Sequence, residues 1–180
     1  GEFDEAKIAC VNMMDLRYNS DLYKGETYSW FNEAFHLVKQ FSTEGSYRLF
    51  PDRISLPTTI SNGKQIEIAH RWNNSGWGYC PTNIPQWKNK YKVAFALLDT
   101  KNDKPKYVFV DGEPEACDWV KGAAKSYTFT TRVEGVEAGK YMWAVGIVDT
   151  TKQNEIGIRL AVKNNVTSAG WLKLFEVSVR

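Results

Sequence analysis

The sequence predicts an all-β fold, an antiparallel β-sandwich of about seven or eight strands with one helical segment near the N-terminus. Short runs of alternating or continuous apolar, β-branched and aromatic residues recur from about residue 47 onward. Gly, Pro, Asn and Asp separate these runs, and no run with helical spacing lies between them. Strands that follow one another without helices favour an antiparallel sandwich, immunoglobulin-like or jelly-roll-like, over a parallel α/β sheet.

Eight segments carry the strand pattern: SYRLFPDRISL, KQIEIAHRW, YKVAFALLD, KYVFVDG, SYTFTTRVEG, KYMWAVGIVD, IGIRLAVKN and WLKLFEVSV. Two connections repeat one arrangement, in which an apolar strand leads through Asp-Thr and a polar turn into a return strand. Both connections predict hairpins. We expect Asp99 and Asp149, which close the first strand of each hairpin, to bond to their own turns rather than to act as acids.

Residues 1–45 are predicted to form an N-terminal extension to a β-sandwich domain at 46–180. A helix is expected near 26–42, because ETYSWFNEAFHLVKQF has two apolar stripes at helical spacing, and Gly45 ends it. The stripes are Tyr28, Phe31, Phe35 and Val38, and Trp30, Ala34, Leu37 and Phe41. Two adjacent stripes are wider than one sheet surface covers, so the helix is predicted to pack between the sandwich and a second body, either another domain or a second copy of the chain.

The composition favours one domain, or a domain with an appendage, since 180 residues with 43% hydrophobic side chains can bury a proper core. A net charge of +2 gives no reason to expect nucleic acid or a membrane surface as partner, and no apolar run within these residues is long enough to cross a bilayer. Cys10, Cys80 and Cys117 are too few and too widely spaced for a disulfide scaffold. They allow one bridge, Cys80 to Cys117, but small buried side chains are the commoner role.

The sequence carries no G-x-S-x-G, H-E-x-x-H, phosphate-binding or dinucleotide-binding motif, and His36 and His70 are expected to be structural. One loop, DGEPEACDW, is rich in carboxylates, at Asp111, Glu113, Glu115 and Asp118. Such a group could hold calcium or serve glycoside hydrolysis, but the spacing matches no ligand loop, so a solvated acidic turn is the stronger expectation. We therefore expect no enzymatic activity and no cofactor, with calcium left open.

The stretch HRWNNSGWGYCPTNIPQW, residues 70–87, is the strongest candidate for a binding surface. Strand parity places Trp72 on the inward face, whereas the Gly and Pro turns beyond it are expected to push Trp77, Tyr79 and Trp87 outward. An exposed indole face can stack on a sugar ring while nearby amides bind its hydroxyls. The predicted carbohydrate-binding residues are Trp77, Tyr79, Trp87, Trp119, Asn74 and Gln86. The alternative for any one ring is that it caps an end of the sandwich.

Residues from about 8 to 180 resemble a bacterial domain of unknown function that lies C-terminal to a predicted TIM barrel in glycoside-hydrolase-like proteins. The phrases that carry the resemblance are GSYRLF, ISLPTTISNGKQIEIAHRWNNSGWGYCP, KVAFALLD, EAGKYMWAVGIVD and IRLAVKNNVTSAGWLKLFEVSV. The resemblance implies a β-sandwich appended to a carbohydrate-active barrel, with residues 1–45 at the join. It supplies no catalytic residues for this chain.

Together these observations predict a non-catalytic carbohydrate-binding module, accessory to a glycoside hydrolase. Its expected partners are a polysaccharide or oligosaccharide and the catalytic domain of a larger parent protein, and its expected location is extracellular or at the cell surface. The alternative is a purely structural β-sandwich domain that packs against a catalytic barrel and has no ligand of its own.

Overall fold

The fold is an all-β sandwich of two sheets, seen in a computed structural model that describes residues 1–14 and 30–180. In the described residues before the strands, α1 lies at Glu2–Ile8 and α2 at Phe35–Glu44. The strands are β1 Leu49–Ser55, β2 Thr59–Ile60, β3 Gln65–Asn74, β4 Tyr91–Asp99, β5 Pro105–Asp111, β6 Lys125–Arg132, β7 Gly139–Asp149, β8 Glu155–Ile158 and β9 Leu172–Val179. A 3-10 turn, Ala116–Asp118, lies between β5 and β6.

One sheet has three strands in the order β1-β3-β6, and the other has six, in the order β2-β9-β7-β4-β5 with β8 paired to β7. All pairings are antiparallel except that of β2 with β9. The predicted fold class is confirmed, and so are the two hairpins, β4–β5 and β7–β8. The strand predicted in IGIRLAVKN is shorter than expected, because strand pairing ends at Ile158.

The main core lies between the two sheets. Along β3 the residues alternate between exposed and buried, and the inward set includes Ile68 and Trp72, as strand parity predicts. The ring of Trp72 stacks on that of Trp119 at 4.7 Å between centroids and an interplanar angle of 11°. Phe95 on β4 and Trp143 on β7, both fully buried, pack in the same cluster from the six-stranded sheet.

The predicted helix near 26–42 corresponds in its C-terminal part to α2, which ends at Gly45 as expected. Residues 26–29 of that prediction lie outside the described residues, residues 30–32 are helical, and the helix is interrupted at 33–34, so the prediction of one continuous helix is wrong there. No residue of α1 or α2 is buried, and Phe31 and Phe35 are 47% and 53% exposed, so these two side chains face away from the sandwich. Phe41, in the other stripe, contacts Trp77. None of the helices in the described part of the chain is long and apolar enough to span a bilayer.

The two Asp-Thr turns follow the structural expectation. Oδ1 of Asp99 accepts the backbone N–H of Lys101 at 2.8 Å, and Oδ1 of Asp149 accepts both the N–H and the hydroxyl of Thr151, at 3.0 and 2.6 Å. Burial by itself raises the pKa of Asp149, but the bonds from Thr151 and the charges of Lys90 and Lys152 outweigh it, so the pKa is lowered.

We expect Asp149→Asn to lower the free energy of unfolding at pH 7 by about 1 kcal/mol, since an amide accepts these bonds more weakly than a carboxylate. The folded-state pKa lies below the unfolded one. The stabilisation is therefore complete above the ordinary carboxyl pKa of 3.8 and disappears as the pH falls through the lower folded value. Urea unfolding of the wild-type chain and of Asp149→Asn between pH 7 and pH 2 measures the gap between their free energies of unfolding. Glu67→Gln, at an exposed position on β3, is the control. A gap that stays constant over this range contradicts the assignment.

Candidate functional site

Trp77 is buried rather than displayed on the surface, so the expectation that the Gly and Pro turns push it outward is wrong. The side chain is only 8% exposed, and its Nε1–H donates to the carbonyl of Val11 at 3.1 Å. Phe3 of α1 and Phe41 of α2 lie edge-on against the indole, and the ammonium of Lys7 lies 5.6 Å from its centroid. The N-terminal extension covers the ring, which leaves it no free face for a sugar.

Trp119 and Asn74 are also interior residues. Trp119 is 1% exposed, stacks on Trp72, and donates its Nε1–H to the hydroxyl of Tyr127 at 2.9 Å. Both ends of the Asn74 carboxamide are bonded internally. Its Nδ2 donates to the carbonyls of Gly78 and Trp119 at 2.7 and 3.0 Å, and its Oδ1 accepts the N–H groups of Arg48 and Gly76. Asn74 therefore braces the loop, and Trp119 caps the core.

Tyr79, Trp87 and Gln86 are the predicted residues that reach the surface. Tyr79 and Trp87 are half-buried and Gln86 is exposed. The ring of Trp87 lies 5.2 Å from that of Tyr91 at 82°, so one edge is anchored on the sandwich. Their contact with a glycan stays a prediction.

A second surface feature is a polar cleft of about 430 Å³ on the solvent-facing side of the three-stranded sheet, called here the outer-face cleft. Its lining comes from β1, β3, β6 and the loop after β5. The residues are Arg53, Ala69, His70, Arg71, Glu113, Ser126, Tyr127 and Thr128.

Strand pairing explains the composition of this cleft. Arg71 pairs with Arg53 on one side and with Ser126 on the other, and Ala69 pairs with Thr128. Residues that alternate with the inward side chains of β3 and β6 share the outer face. The small Ala69 lies in the middle strand, between longer polar side chains on its neighbours, which leaves room for the cleft.

The two arginines of the cleft differ in their partners. Arg71 donates from Nε and Nη2 to the two oxygens of Asp52, both at 2.8 Å, and this pairing lowers the pKa of Asp52 and raises that of Arg71. The guanidinium of Arg53 has no hydrogen bond or ion pair within the described ranges 1–14 and 30–180. The carboxylate of Glu113 likewise has no partner in this part of the chain.

A buried hydrogen-bonded group sets the position of Glu113. The Oδ1 of Asp111 accepts the Glu113 N–H at 3.0 Å, and its Oδ2 lies 3.0 Å from Nε2 of His70. Glu115 pairs with the buried ammonium of Lys92. The expectation of a solvated acidic turn is therefore wrong for Asp111, which is 3% exposed, and for Glu115, which is ion-paired.

His70 is structural, as the sequence predicts. Its side chain is fully buried, and Nδ1 accepts the indole N–H of Trp72 at 2.8 Å while Nε2 faces Asp111. Both ring nitrogens are engaged. Among the residues that the structure describes, no three His, Cys, Asp or Glu side chains are grouped so that they could hold a metal ion.

Arg53, Arg71, Ser126 and Thr128 stand outside the residues that the sequence singled out. Strand parity is the signal that could have found them, because on β3 and β6 the outward residues alternate with the inward ones. The choice of strands that lie beside β3 depends on the tertiary structure. It cannot be read from the local pattern of short strands that have similar compositions.

No family model matches the chain, and no curated protein matches it, so the resemblance described above stays a prediction. Solved structures similar to it include a Niemann-Pick type C2 protein from the Japanese carpenter ant, at 11% identity and a TM-score of 0.42, covering 72% of this chain and 91% of that one. The CARDB domain of a Pyrococcus furiosus protein gives 18% identity and 0.39, covering 74% and 89%. The β-glucosidase of Listeria innocua gives 18% and 0.37, covering 74% of this chain and 16% of that one. At such low scores, function has to be argued from the residues of this chain.

The loop between β3 and β4 depends on glycine at position 78. A Cβ there would lie 2.1 Å from Oδ1 of Asn12 and 2.7 Å from the backbone carbon of Ser46. We expect Gly78→Ala to lower the free energy of unfolding by about 1 to 3 kcal/mol, since backbone must move. Gly112→Ala is the matched control, because a Cβ at that position meets nothing within 4 Å. Equal urea midpoints for the two variants would show that the loop adjusts freely.

Proposed function

We propose that this chain is a non-catalytic carbohydrate-binding domain whose outer-face cleft holds sugar residues of a polysaccharide or oligosaccharide. The observation that carries the proposal is a hydrogen-bond donor, Arg53, and an acceptor, Glu113, that lie within one cleft and have no partner among the residues that the structure describes. The hydroxyls of Ser126 and Thr128 line the same cleft and can both donate and accept.

Sugar hydroxyls match this set because each of them also donates and accepts. The Arg71 charge is already balanced by Asp52, which leaves one cation, Arg53, and one anion, Glu113. Such a balance favours a neutral, many-hydroxyl ligand over a polyanion, which Glu113 would repel.

The position of the cleft suits binding to a polysaccharide chain rather than enclosure of a small molecule. Its volume of about 430 Å³ falls within the usual range for ligand sites, yet it lies on an open sheet face. An open polar groove desolvates its ligand incompletely, and the resulting affinity is modest. Modest affinity is adequate for a domain that keeps an attached enzyme near a polysaccharide, at the cell surface or outside the cell.

The first test measures glycan binding by isothermal calorimetry and affinity electrophoresis against neutral and acidic polysaccharides. We expect Arg53→Gln and Glu113→Gln each to weaken binding about 10- to 100-fold, since one hydrogen bond to a charged group contributes about 1.5 to 3 kcal/mol. Arg159→Gln and Glu155→Gln are matched controls, because they remove the same charges at exposed positions in or next to β8, away from the cleft and its sheet.

Two further variants separate the cleft from the loop surface. Trp87→Ala and Gln86→Ala test the contacts predicted from the sequence, and they leave the cleft intact. Binding that depends on Trp87 but not on Arg53 or Glu113 would move the site to the loop. No binding to any glycan would overturn the proposal.

A second candidate function, an accessory domain that packs on a neighbouring domain, is favoured by the apolar surface at the N-terminal end. Large apolar side chains are exposed there: Ile8 at 83%, Met13 at 81%, Phe35 at 53% and Phe31 at 47%. Large exposed apolar patches mark interaction sites. On this proposal the surface packs against the catalytic domain of a parent protein.

This second candidate predicts that the isolated chain associates with itself. Sedimentation velocity over a concentration series should show oligomers that persist in high salt, because apolar contacts are not screened. Combining Ile8→Ser with Phe35→Ser should shift the chain to monomer, whereas Ile84→Ser, at a 37% exposed residue on the 81–90 turn, should not. A monomeric chain at every concentration would argue against the docking role.

A further inference from the structure

Cys80 and Cys117 lie in two segments, 78–82 and 116–119, that are far apart in sequence and packed together at one end of the sandwich. Cys80 is fully buried in the main core, and Cys117 is half-buried. Both are free thiols in this structure.

Hydrogen bonds join the two segments on either side of the cysteines. At one end Nδ2 of Asn74 donates to the carbonyls of both Gly78 and Trp119. At the other end the Cys117 N–H donates to Oγ1 of Thr82 at 3.1 Å. In the first segment the bonded residues are Gly78 and Thr82, and Cys80 lies between them. In the second segment the bonded residues are Cys117 itself and Trp119.

The electrostatic surroundings agree with this closeness. Burial and, as the smaller cause, the nearby charge of a Cys117 thiolate together raise the pKa of the Cys80 thiol to about 12. The third cysteine, Cys10, donates weakly to the carbonyl of Ile8 and belongs to the N-terminal extension.

We propose that Cys80 and Cys117 are a disulfide-forming pair, and that their oxidation fastens the loop carrying Tyr79 and Trp87 to the turn at 116–119. The oxidant is a low-molecular-weight disulfide such as oxidised glutathione. The inference is independent of what the outer-face cleft binds.

The half-buried Cys117 reacts first. Its thiolate attacks one sulfur of glutathione disulfide, the S–S bond breaks, and one glutathione thiolate leaves. Cys80 then gives its proton to water and attacks Sγ of Cys117, which expels the second glutathione. Two protein thiols become one S–S bond, and one glutathione disulfide becomes two thiols. Because the Cys80 pKa is high, the closing step accelerates as the pH rises above neutrality.

The bridge would also stabilise the fold. It closes a loop that contains β4 and β5, and cross-linking restricts the unfolded chain more than the folded one. We expect Tm to rise by about 5 to 10 °C on oxidation.

The experiment treats the full chain with oxidised glutathione at pH 8, blocks the remaining thiols with a maleimide after unfolding, and weighs the product and its tryptic peptides. The expected result is one blocked thiol, no retained glutathione, and a linked peptide pair containing Cys80 and Cys117. Cys10→Ala should still form the bridge, with no thiol left to block. Cys117→Ala should form none, and Cys80→Ala should stop at the mixed disulfide on Cys117.

A chain that keeps glutathione on Cys117 at every pH up to 9, without a linked peptide, would overturn the proposal. A bridge from Cys10, or covalent dimers on a non-reducing gel in place of the internal bridge, would overturn it as well. If Cys80→Ala does not fold, the wild-type linked peptide and the Cys10→Ala mass decide the question.

Discussion

A buried chain of hydrogen bonds from Trp72 through His70 to Asp111 joins the two sheets and determines much of what surrounds it. Trp72 and His70 are on β3 of the three-stranded sheet, and Asp111 ends β5 at the edge of the other sheet. The indole N–H is only a donor, so Nδ1 of His70 must accept, and the ring proton is on Nε2, where it bonds to the Asp111 carboxylate. A carboxylate 3% exposed would be costly without such partners.

The same carboxylate organises the loop that follows β5. Its second oxygen holds the N–H of Glu113, while the Lys92 ammonium, itself buried, bonds to the carbonyl of Gly112 and to Glu115. The loop is therefore fixed to both sheets rather than free in solvent. Glu113, which lines the outer-face cleft, owes its place to a hydrogen bond made in the core.

The predictions that the structure confirms came from patterns within a few neighbouring residues. The inward positions of His70 and Trp72 follow from alternation along one strand, and the roles of Asp99 and Asp149 follow from turn chemistry within a few residues. The prediction for Trp77 was wrong because its cover includes Phe3 of α1 and Phe41 of α2, and even Phe41 lies 36 residues earlier in the sequence.

The prediction for Asp111 was also wrong because its contacts come from a distant part of the sequence. Its sequence neighbours are polar and acidic, which is typical of a solvated turn, but its partner His70 is 41 residues away. The arginines of the cleft depend likewise on which strands lie beside β3. Periodicity specifies the face of a strand, whereas the neighbour of that face is decided by packing of the whole chain.

The two outer faces of the sandwich differ in how far the described part of the chain covers them, and the cleft lies on the less covered one. On the six-stranded sheet the outer positions of β4 and β7 are apolar and include three alanines, Ala94, Ala96 and Ala144, and Trp171 and Ile156 pack in the same cluster. A Cβ at Gly146 would lie 2.3 Å from Cδ1 of Ile156, so this surface is closed by its own chain. No comparable cover lies over the described outer face of the three-stranded sheet, where Arg53, Ser126 and Thr128 face solvent. A sheet that buries one face and leaves the other polar can hold a hydroxyl-rich ligand, as the proposed function requires, without exposing its core.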